Sequence, residues 1–200
     1  MPGVWQTENS VVSAIVTGSG NKVRKLADFH KVPHVFGYEQ YAEMLIEDIC
    51  DAVYVALPNS LHAEYTIQAA KACKHIFVEK PLAVSLQEGK SMIEAVEENG
   101  VYLMTAYRLH YEPGTVEALE RIRQGQIGEA RIFNSILSFR IQSENHRLKS
   151  SLWGGPLQDL GVYCSMRLII FSRQSLQMFG QAATKEQTIH FLMRWKKPSQ

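Results

Sequence analysis

The sequence predicts an α/β fold: an incomplete, doubly wound parallel sheet followed by part of an open α+β sheet domain. Up to about residue 107, short apolar runs rich in valine and isoleucine alternate with amphipathic stretches, which is typical of parallel strands joined by crossover helices. A longer alternating stretch, residues 130–141, then suits an open antiparallel sheet. The 200 residues, 46% of them hydrophobic, supply ample apolar side chains for a core.

Residues 1–107 are predicted to form the parallel domain. Residues 51–57 are a nearly continuous apolar run, as expected of a strand buried on both faces, and Pro58 ends it. Ser60 is a typical N-cap for the following helix, and Gly100 is a typical C-cap for another. The predicted strands are residues 11–16, 34–36, 51–57, 75–78 and 101–106, and the predicted helices are residues 21–30, 38–47, 60–70 and 85–98.

Residues 108–200 are predicted to form part of a second domain. A helix begins near Pro113 and ends at Arg123, which suits the preference of proline for the first helical turn. Residues 143–152 are polar and irregular. The remaining predicted elements are a strand at residues 130–141, a helix at residues 156–171 and a strand at residues 175–183.

Charge and cysteine content restrict the class of partner. The chain has 21 basic and 20 acidic residues, so nothing in its charge favours nucleic acid or an anionic membrane as partner. Its three cysteines are widely spaced, so neither a metal site nor a disulfide framework is indicated, and a reduced, cytoplasmic protein is expected. The expected ligand is a small neutral or weakly acidic molecule.

A glycine pair after the first predicted strand admits two interpretations. Gly18-Ser19-Gly20 resembles the start of a dinucleotide-binding Gly-x-Gly-x-x-Gly loop, but Val23 occupies the third glycine position. Alternatively the pair is an ordinary turn, and residues 11–16 are the second strand of the sheet, whose end faces the adenosine ribose. There Ser19, Lys22 and Arg24 would accommodate a 2′-phosphate and favour NADP over NAD, unless Lys22 and Arg24 are simply solvated helix residues.

Two segments follow predicted strands at the end where open α/β sheets bind ligands. They are residues 56–62, Ala-Leu-Pro-Asn-Ser-Leu-His, and residues 78–83, Val-Glu-Lys-Pro-Leu-Ala. Further motifs lie at residues 107–113 and 154–163. With its Glu-Lys-Pro signature, the chain resembles the Gfo/Idh/MocA oxidoreductases, and in particular the branch of glucose-fructose oxidoreductase. The resemblance extends from about Glu8 to about Ala183.

The resemblance implies a Rossmann domain followed by an open sheet domain, and it implies catalytic roles for Lys80, Asp159 and Tyr163. Burial beside the nicotinamide cation is expected to lower the pKa of Lys80 towards the range useful for proton transfer. Asp159 and Tyr163 are four residues apart, which places them on one helix face. The phenol can relay a proton if Lys80 or the bound cofactor lowers its pKa. The alternative for Tyr163 is a packing role.

The Gly18-Ser19-Gly20 turn and the resemblance together assign residues to two ligands. One is the cofactor, NADP or NAD, and the other is a sugar or polyol substrate. For His62 the alternative is helix capping or solvation, and for His110 it is structural hydrogen bonding. Trp153 is expected to pack rather than to stack on the sugar. The cofactor-binding candidates are Ser19, Lys22, Arg24, Leu57, Pro58, Asn59, His62, Glu79, Lys80 and Arg108. The substrate-binding candidates are Lys80, His110, Asp159 and Tyr163.

The sequence differs from complete members of that family at both ends. They begin with a further strand, a Gly-x-Gly-x-x-Gly loop and a helix, and their second domain continues well beyond the position of Ala183. We therefore expect a truncated chain, with a tail after about Ala183 that a frameshift would explain. The expected activity is NAD(P)-dependent hydride transfer at a sugar or polyol CH–OH group, in a homo-oligomer formed through the C-terminal sheet. The alternative is a catalytically inactive remnant that acts, if at all, as a binding or interaction module.

Overall fold

The predicted alternation of strands and helices is present in the computed structural model. It describes residues 7–18, 20–128, 132–138, 140–172, 181–183 and 189–194. The strands of the first part are β1 Ala14–Val16, β2 His34–Phe36, β3 Ala52–Val55, β4 His75–Val78 and β5 Leu103–Thr105. The helices are α1 Gly20–His30, α2 Tyr41–Ile46, α3 His62–Lys71 and α4 Leu86–Glu98.

The strands of this part form two sheets. β1 and β2 are parallel, with Ala14 opposite His34 and Val16 opposite Phe36, and α1 is the crossover between them. The second sheet has the order β3-β4-β5. Among the described strands, β1 and β3 therefore each have one hydrogen-bonded neighbour. This part of the chain thus has the α/β architecture that the sequence predicts.

Several predicted boundaries differ from the observed ones. The strand predicted at residues 51–57 ends at Val55, because Pro58 begins a 3-10 turn, Asn59–Leu61, and α3 then starts at His62 rather than at Ser60. The helix predicted at residues 156–171 begins as a π-helical turn, Leu157–Gly161, before α6, Val162–Ser172. Of the strand predicted at residues 175–183, only Gln181–Ala183 lies within the described residues.

Among its described residues, the second part of the chain contains an α-helix before this π-helical turn, helix α6 after it, and an antiparallel sheet. Helix α5, Pro113–Arg123, is capped by Glu112, whose carboxylate accepts hydrogen bonds from the N–H groups of Gly114 and Thr115. Strand β6, Ile132–Leu137, pairs along its whole length with β8, Ile189–Arg194, which lies in the tail beyond Ala183. Strand β7, Gln181–Ala183, pairs antiparallel with β8. The predicted open antiparallel sheet is thus present.

The chain divides into two compact units. Unit 1 contains residues 1–55, 64–77 and 90–104, and unit 2 contains residues 56–63, 78–89 and 105–200. The two predicted ligand-binding segments therefore belong to the same unit as the C-terminal sheet. Within the described part of the chain, no helix is long and apolar enough to cross a membrane.

The core of unit 1 is built by the apolar faces of its helices. Its members include Val23 and Ala27 of α1, Met44 and Leu45 of α2, and Met92 of α4, all of which are buried. Val23 and Ala27 are four residues apart, and Tyr41 lies three and four residues before Met44 and Leu45, so each set shares one helix face. Tyr41 joins this core: it is 3% exposed, and its hydroxyl donates a 3.0 Å hydrogen bond to the carbonyl oxygen of Tyr65.

Burial raises the pKa of Tyr41 well above the ordinary tyrosine value. A phenol whose pKa is higher in the folded than in the unfolded chain stabilises the fold fully below the unfolded pKa, and this contribution is lost as the pH rises through the folded pKa. The relevant window therefore begins at about pH 10, the ordinary value for tyrosine.

We predict that Tyr41→Phe makes the free energy of unfolding less sensitive to pH above about 10, because the variant lacks this titration. At neutral pH the variant should lose about 1 kcal/mol, the typical net value of the missing hydrogen bond. Urea denaturation at pH 7 and at increasing alkaline pH measures both effects. Tyr102→Phe, at a 78% exposed position, is the matched control. An alkaline slope identical to that of the unsubstituted chain would show that Tyr41 is not the titrating group.

Candidate active site

The three predicted catalytic residues come from two separate segments of unit 2. Lys80 follows β4, in a loop where the peptide bond to Pro81 is cis. Asp159 lies in the π-helical turn, and Tyr163 lies in the first turn of α6. Single π-helical turns inside helices are frequent at functional sites because they change the direction of side chains. The structure brings all three side chains together although Lys80 is 79 residues from Asp159 in sequence.

Lys80 and Asp159 form a largely buried ion pair. Lys80 Nζ lies 2.6 Å from Asp159 Oδ1 and 2.7 Å from the carbonyl oxygen of the same residue. Their side chains are only 10% and 13% exposed. Lys80 Nζ also lies 5.0 Å from the centroid of the Tyr163 ring, within the range of a cation–π interaction. The ammonium group is thus held between a carboxylate and an aromatic face.

The phenol of Tyr163 stays protonated in this setting. Burial raises its pKa, the negative charge of Glu79 adds to this effect, and the nearby Arg108, which hydrogen bonds to the phenol, opposes it. Burial is the largest influence, so the pKa of the phenol is raised although the Lys80 ammonium lies over the ring. The proton relay that the sequence made conditional on a lowered pKa stays a prediction. A protonated phenol next to a cation is suited to donating a proton.

The irregular segment before the π-helical turn packs close to these residues. Arg147 Nε lies 3.8 Å from Asp159 Oδ1, and Asn59 Nδ2 donates a 3.1 Å hydrogen bond to the carbonyl oxygen of Trp153. Gly154 permits this packing, since a Cβ atom there would lie 2.5 Å from the carbonyl oxygen of Arg147. The segment that carries Arg147 and Trp153 therefore contacts both Asp159 and the loop that follows β3.

His62 is the one fully buried histidine of the described residues, with 0% exposure. Its Nδ1 lies 2.7 Å from the carbonyl oxygen of Pro81, and its Nε2 lies 3.0 Å from that of Leu57. The ring therefore neither faces solvent nor caps the helix, which were the alternatives that the sequence left open. Its two ring nitrogens contact the backbone of the two loops. His62 therefore links the two predicted cofactor-binding segments through a buried side chain.

His110 and Tyr107 lie beside the same cluster. Their rings stack with centroids 5.7 Å apart, and His110 Nε2 is buried without a hydrogen-bond partner among the described residues. Burial raises the pKa of Tyr107, whose hydroxyl accepts a hydrogen bond from the backbone of Leu82 and lies near enough to Tyr163 for their charges to interact. Sequence reasoning missed Tyr107, although its position directly after β5, where parallel sheets bind ligands, was a usable signal.

The predicted cofactor residues fall into two groups. Leu57, Pro58, Asn59 and Glu79 are half-buried residues of unit 2, at the ends of β3 and β4. Ser19 lies outside the described residues. Lys22 lies in α1 but its side chain is also outside the described part, and Arg24 is exposed on α1. Val23, at the third glycine position of the apparent fingerprint, is 7% exposed and packs into the core, which supports an ordinary strand-to-helix turn.

A model of the Gfo/Idh/MocA proteins, described as an oxidoreductase family with an NAD-binding Rossmann fold, matches residues 3–107. The D-xylose 1-dehydrogenase [NADP(+)] of Haloarcula marismortui is 32% identical over 170 residues, which cover 82% of this chain and 47% of that protein. The chain belongs to the Gfo/Idh/MocA oxidoreductase family. The scyllo-inositol 2-dehydrogenase (NADP(+)) of Bacillus subtilis is also 32% identical, over 78% of this chain and 49% of that protein.

Solved structures agree with this membership. The aldose-aldose oxidoreductase from Caulobacter crescentus, complexed with glycerol, superimposes with a TM-score of 0.81 and 31% identity, over 88% of this chain and 53% of that structure. The chain spans about half the length of the curated relatives it matches. The family model includes Lys80 but ends before Asp159 and Tyr163, so the geometry described above is the evidence that joins these residues into one site.

We predict that Lys80→Met lowers the free energy of unfolding by about 3 kcal/mol, because it leaves the carboxylate of Asp159 largely buried without its main cation. Arg121→Met is the matched control. It removes the cation of the exposed Arg121–Glu117 pair, whose loss should change stability by about 0.5 kcal/mol or less. Urea denaturation at neutral pH measures both. Equal losses of unfolding free energy in the two variants would show that the Lys80–Asp159 pair contributes no more to stability than an exposed ion pair.

Proposed function

We propose that this protein is an NADP-dependent oxidoreductase that transfers a hydride between the cofactor and a CH–OH carbon of a sugar or polyol. The observation that carries the proposal is the convergence of Lys80, Asp159 and Tyr163 in unit 2. A proton donor, a cation and a carboxylate within a few ångströms are the groups that alcohol oxidation and carbonyl reduction require.

The named activities of the relatives support this substrate class. One relative is a D-xylose 1-dehydrogenase using NADP(+), another is a scyllo-inositol 2-dehydrogenase using NADP(+), and a similar solved structure is an aldose-aldose oxidoreductase complexed with glycerol. A cyclic polyol, an aldose and a linear polyol have in common adjacent hydroxyl groups on saturated carbons. We therefore propose a substrate with vicinal hydroxyls, without assigning its stereochemistry.

The residues of unit 2 suit an anionic dinucleotide. Lys80 and Arg108 are cationic donors, and His110 Nε2 is a buried ring nitrogen with no partner among the described residues. Asn59, Glu79, Lys80 and Arg108 would hold the nicotinamide end, while Lys22 and Arg24 would favour the 2′-phosphate of NADP. When bound, NADP supplies the hydride donor or acceptor. The NADP-dependent relatives support NADP over NAD.

Lys80 is placed to hold the reacting hydroxyl. An ammonium group has three protons, and among the described residues Lys80 Nζ donates to two acceptors, both of Asp159. The third proton can therefore point to a substrate oxygen. Asp159 fixes the direction of that proton, since it holds the other two, and its carboxylate keeps the charge of the ammonium balanced as the substrate oxygen becomes an alkoxide.

Tyr163 is placed to donate the proton when a carbonyl group is reduced. Its raised pKa keeps the phenol protonated through the neutral range, and the nearby Arg108 hydrogen bonds to it. In the reverse direction the same phenol would have to accept a proton, which its raised pKa disfavours. The raised pKa of Tyr163 therefore suits the role of proton donor in carbonyl reduction.

The two parts of the chain have different roles in this proposal. We propose a nucleotide-binding part, residues 1–107, and a substrate and dimerisation part, residues 108–200. The face of β6 that carries Asn134 and Ile136 is exposed, with Ile136 at 59%, which supports homo-oligomer formation through this sheet.

We predict that Tyr163→Phe lowers the rate of NADPH-dependent carbonyl reduction by about 100-fold or more, the usual effect of removing a general acid. The affinity for NADPH, measured by fluorescence titration, should change little because the hydroxyl is assigned to the substrate side. Tyr111→Phe is the matched control, because Tyr111 follows His110 and is 70% exposed. It should leave the rate of reduction and the affinity for NADPH unchanged.

The assay uses a panel of keto-sugars, keto-inositols and short polyol-derived ketones. Turnover that survives Tyr163→Phe undiminished would contradict the assigned role of the phenol. A complete lack of turnover with the unsubstituted chain would contradict the proposed activity and favour a non-catalytic binding module.

A further inference from the structure

The buried ring of His62 bridges two loops of the site. His62 is the first residue of α3, and its side chain has 0% exposure. The Pro81 carbonyl oxygen lies 2.7 Å from Nδ1, and the Leu57 carbonyl oxygen lies 3.0 Å from Nε2. One loop follows β3 and the other follows β4, so a single imidazole links the two segments that carry Asn59 and Lys80.

Both partners of the ring are hydrogen-bond acceptors. A backbone carbonyl oxygen only accepts hydrogen bonds, so each ring nitrogen must carry a proton if both contacts are to be attractive. A neutral imidazole has one N–H group, and its other nitrogen would place a lone pair against a carbonyl lone pair inside the protein, without water to separate them. An imidazolium donates at both positions and forms two charge-assisted hydrogen bonds.

The neighbouring charged side chains have other partners. Lys80 is paired with Asp159, and Glu64 of α3 accepts a hydrogen bond from Gln68. Glu79 Oε2 accepts a hydrogen bond from the backbone N–H of Lys80. The two carbonyl dipoles are thus the direct partners of the ring.

The two bridged loops reach the same downstream segment. Asn59, two residues after Leu57, donates to the carbonyl oxygen of Trp153, and Lys80, directly before Pro81, donates to Asp159. Fixing the Leu57 and Pro81 carbonyl oxygens therefore fixes the two points from which these side chains extend. A displacement of about 1 Å at a catalytic group can lower a rate by about 100-fold, so such a link has a functional consequence.

We propose that His62 is a positioning residue: a wholly buried imidazolium that donates to Leu57 and Pro81 and sets the distance from which Lys80 reaches Asp159. Its role in turnover rests on the proposed function. The protonation of both ring nitrogens does not depend on that function. His62 touches no reacting atom in this proposal. It acts through Lys80.

The first test is the protonation of the ring in the full chain. In a histidine-¹⁵N-labelled sample, the His62 ring, assigned through its contacts with Leu57 and Pro81, should show two exchange-protected N–H groups at neutral pH. The exposed rings of His34 and His146 are the comparison, and their N–H groups should exchange rapidly with water. A His62 ring with one protonated nitrogen at neutral pH would overturn the proposal, and this measurement needs no variant.

The second test separates positioning from a general structural role. His62→Gln should lower kcat for carbonyl reduction by about tenfold, because Lys80 is displaced. In the Lys80→Met background the same substitution should change kcat less than about twofold, since the residue through which His62 acts is already gone. His34→Gln is the control in both backgrounds. The same fold-loss in both backgrounds would show a merely structural role and overturn the positioning proposal.

The two proposals fail in different ways. A doubly protonated His62 in a chain without turnover would contradict the proposed oxidoreductase activity and leave the imidazolium link intact. Turnover that depends on Tyr163, together with a singly protonated His62, would contradict the link and leave the activity intact. If His62→Gln does not fold, the spectrum of the unsubstituted chain decides the protonation of the ring.

Discussion

The ion pair between Lys80 and Asp159 is the contact on which the site depends. It joins the loop after β4 to the π-helical turn, two segments 79 residues apart, through hydrogen bonds of 2.6 and 2.7 Å. Because both side chains are largely buried, removing either partner would leave a buried, unpaired charge and lower the free energy of unfolding. The same pair holds the ammonium over the ring of Tyr163 and directs its remaining proton.

Around this pair, the environment of each residue determines its chemical role. Burial raises the pKa of Tyr163 and keeps it a proton donor, while Arg108 hydrogen bonds to its phenol. Asp159 accepts the hydrogen bond of Lys80 Nζ. His62 links the two loops that carry Asn59 and Lys80. The division of roles follows from burial and partners, and the residue types alone would not separate them.

The sequence predicted the element types well, because alternating apolar periods of two and 3.6 residues are local properties. Motifs of the family singled out Lys80, Asp159 and Tyr163, whose side chains the structure brings together, and their catalytic roles stay a prediction. The sequence did not predict the π-helical turn at Leu157–Gly161, whose apolar pattern resembles that of an α-helix. The double contact of His62 was missed because it joins the loops after two different strands. The stacking of Tyr107 on His110, three residues apart, was missed because it depends on side-chain orientation. Such contacts depend on packing, which no local pattern encodes.

The most direct test of the central claim is a double-mutant cycle on turnover with Lys80→Met, Asp159→Asn and the double variant. Residues that act as one unit give strongly non-additive losses. If the ion pair is the catalytic unit, the double variant should be slower than the slower single variant by no more than about threefold. Losses that multiply across the two substitutions would contradict this account, because they would show that Lys80 and Asp159 act independently.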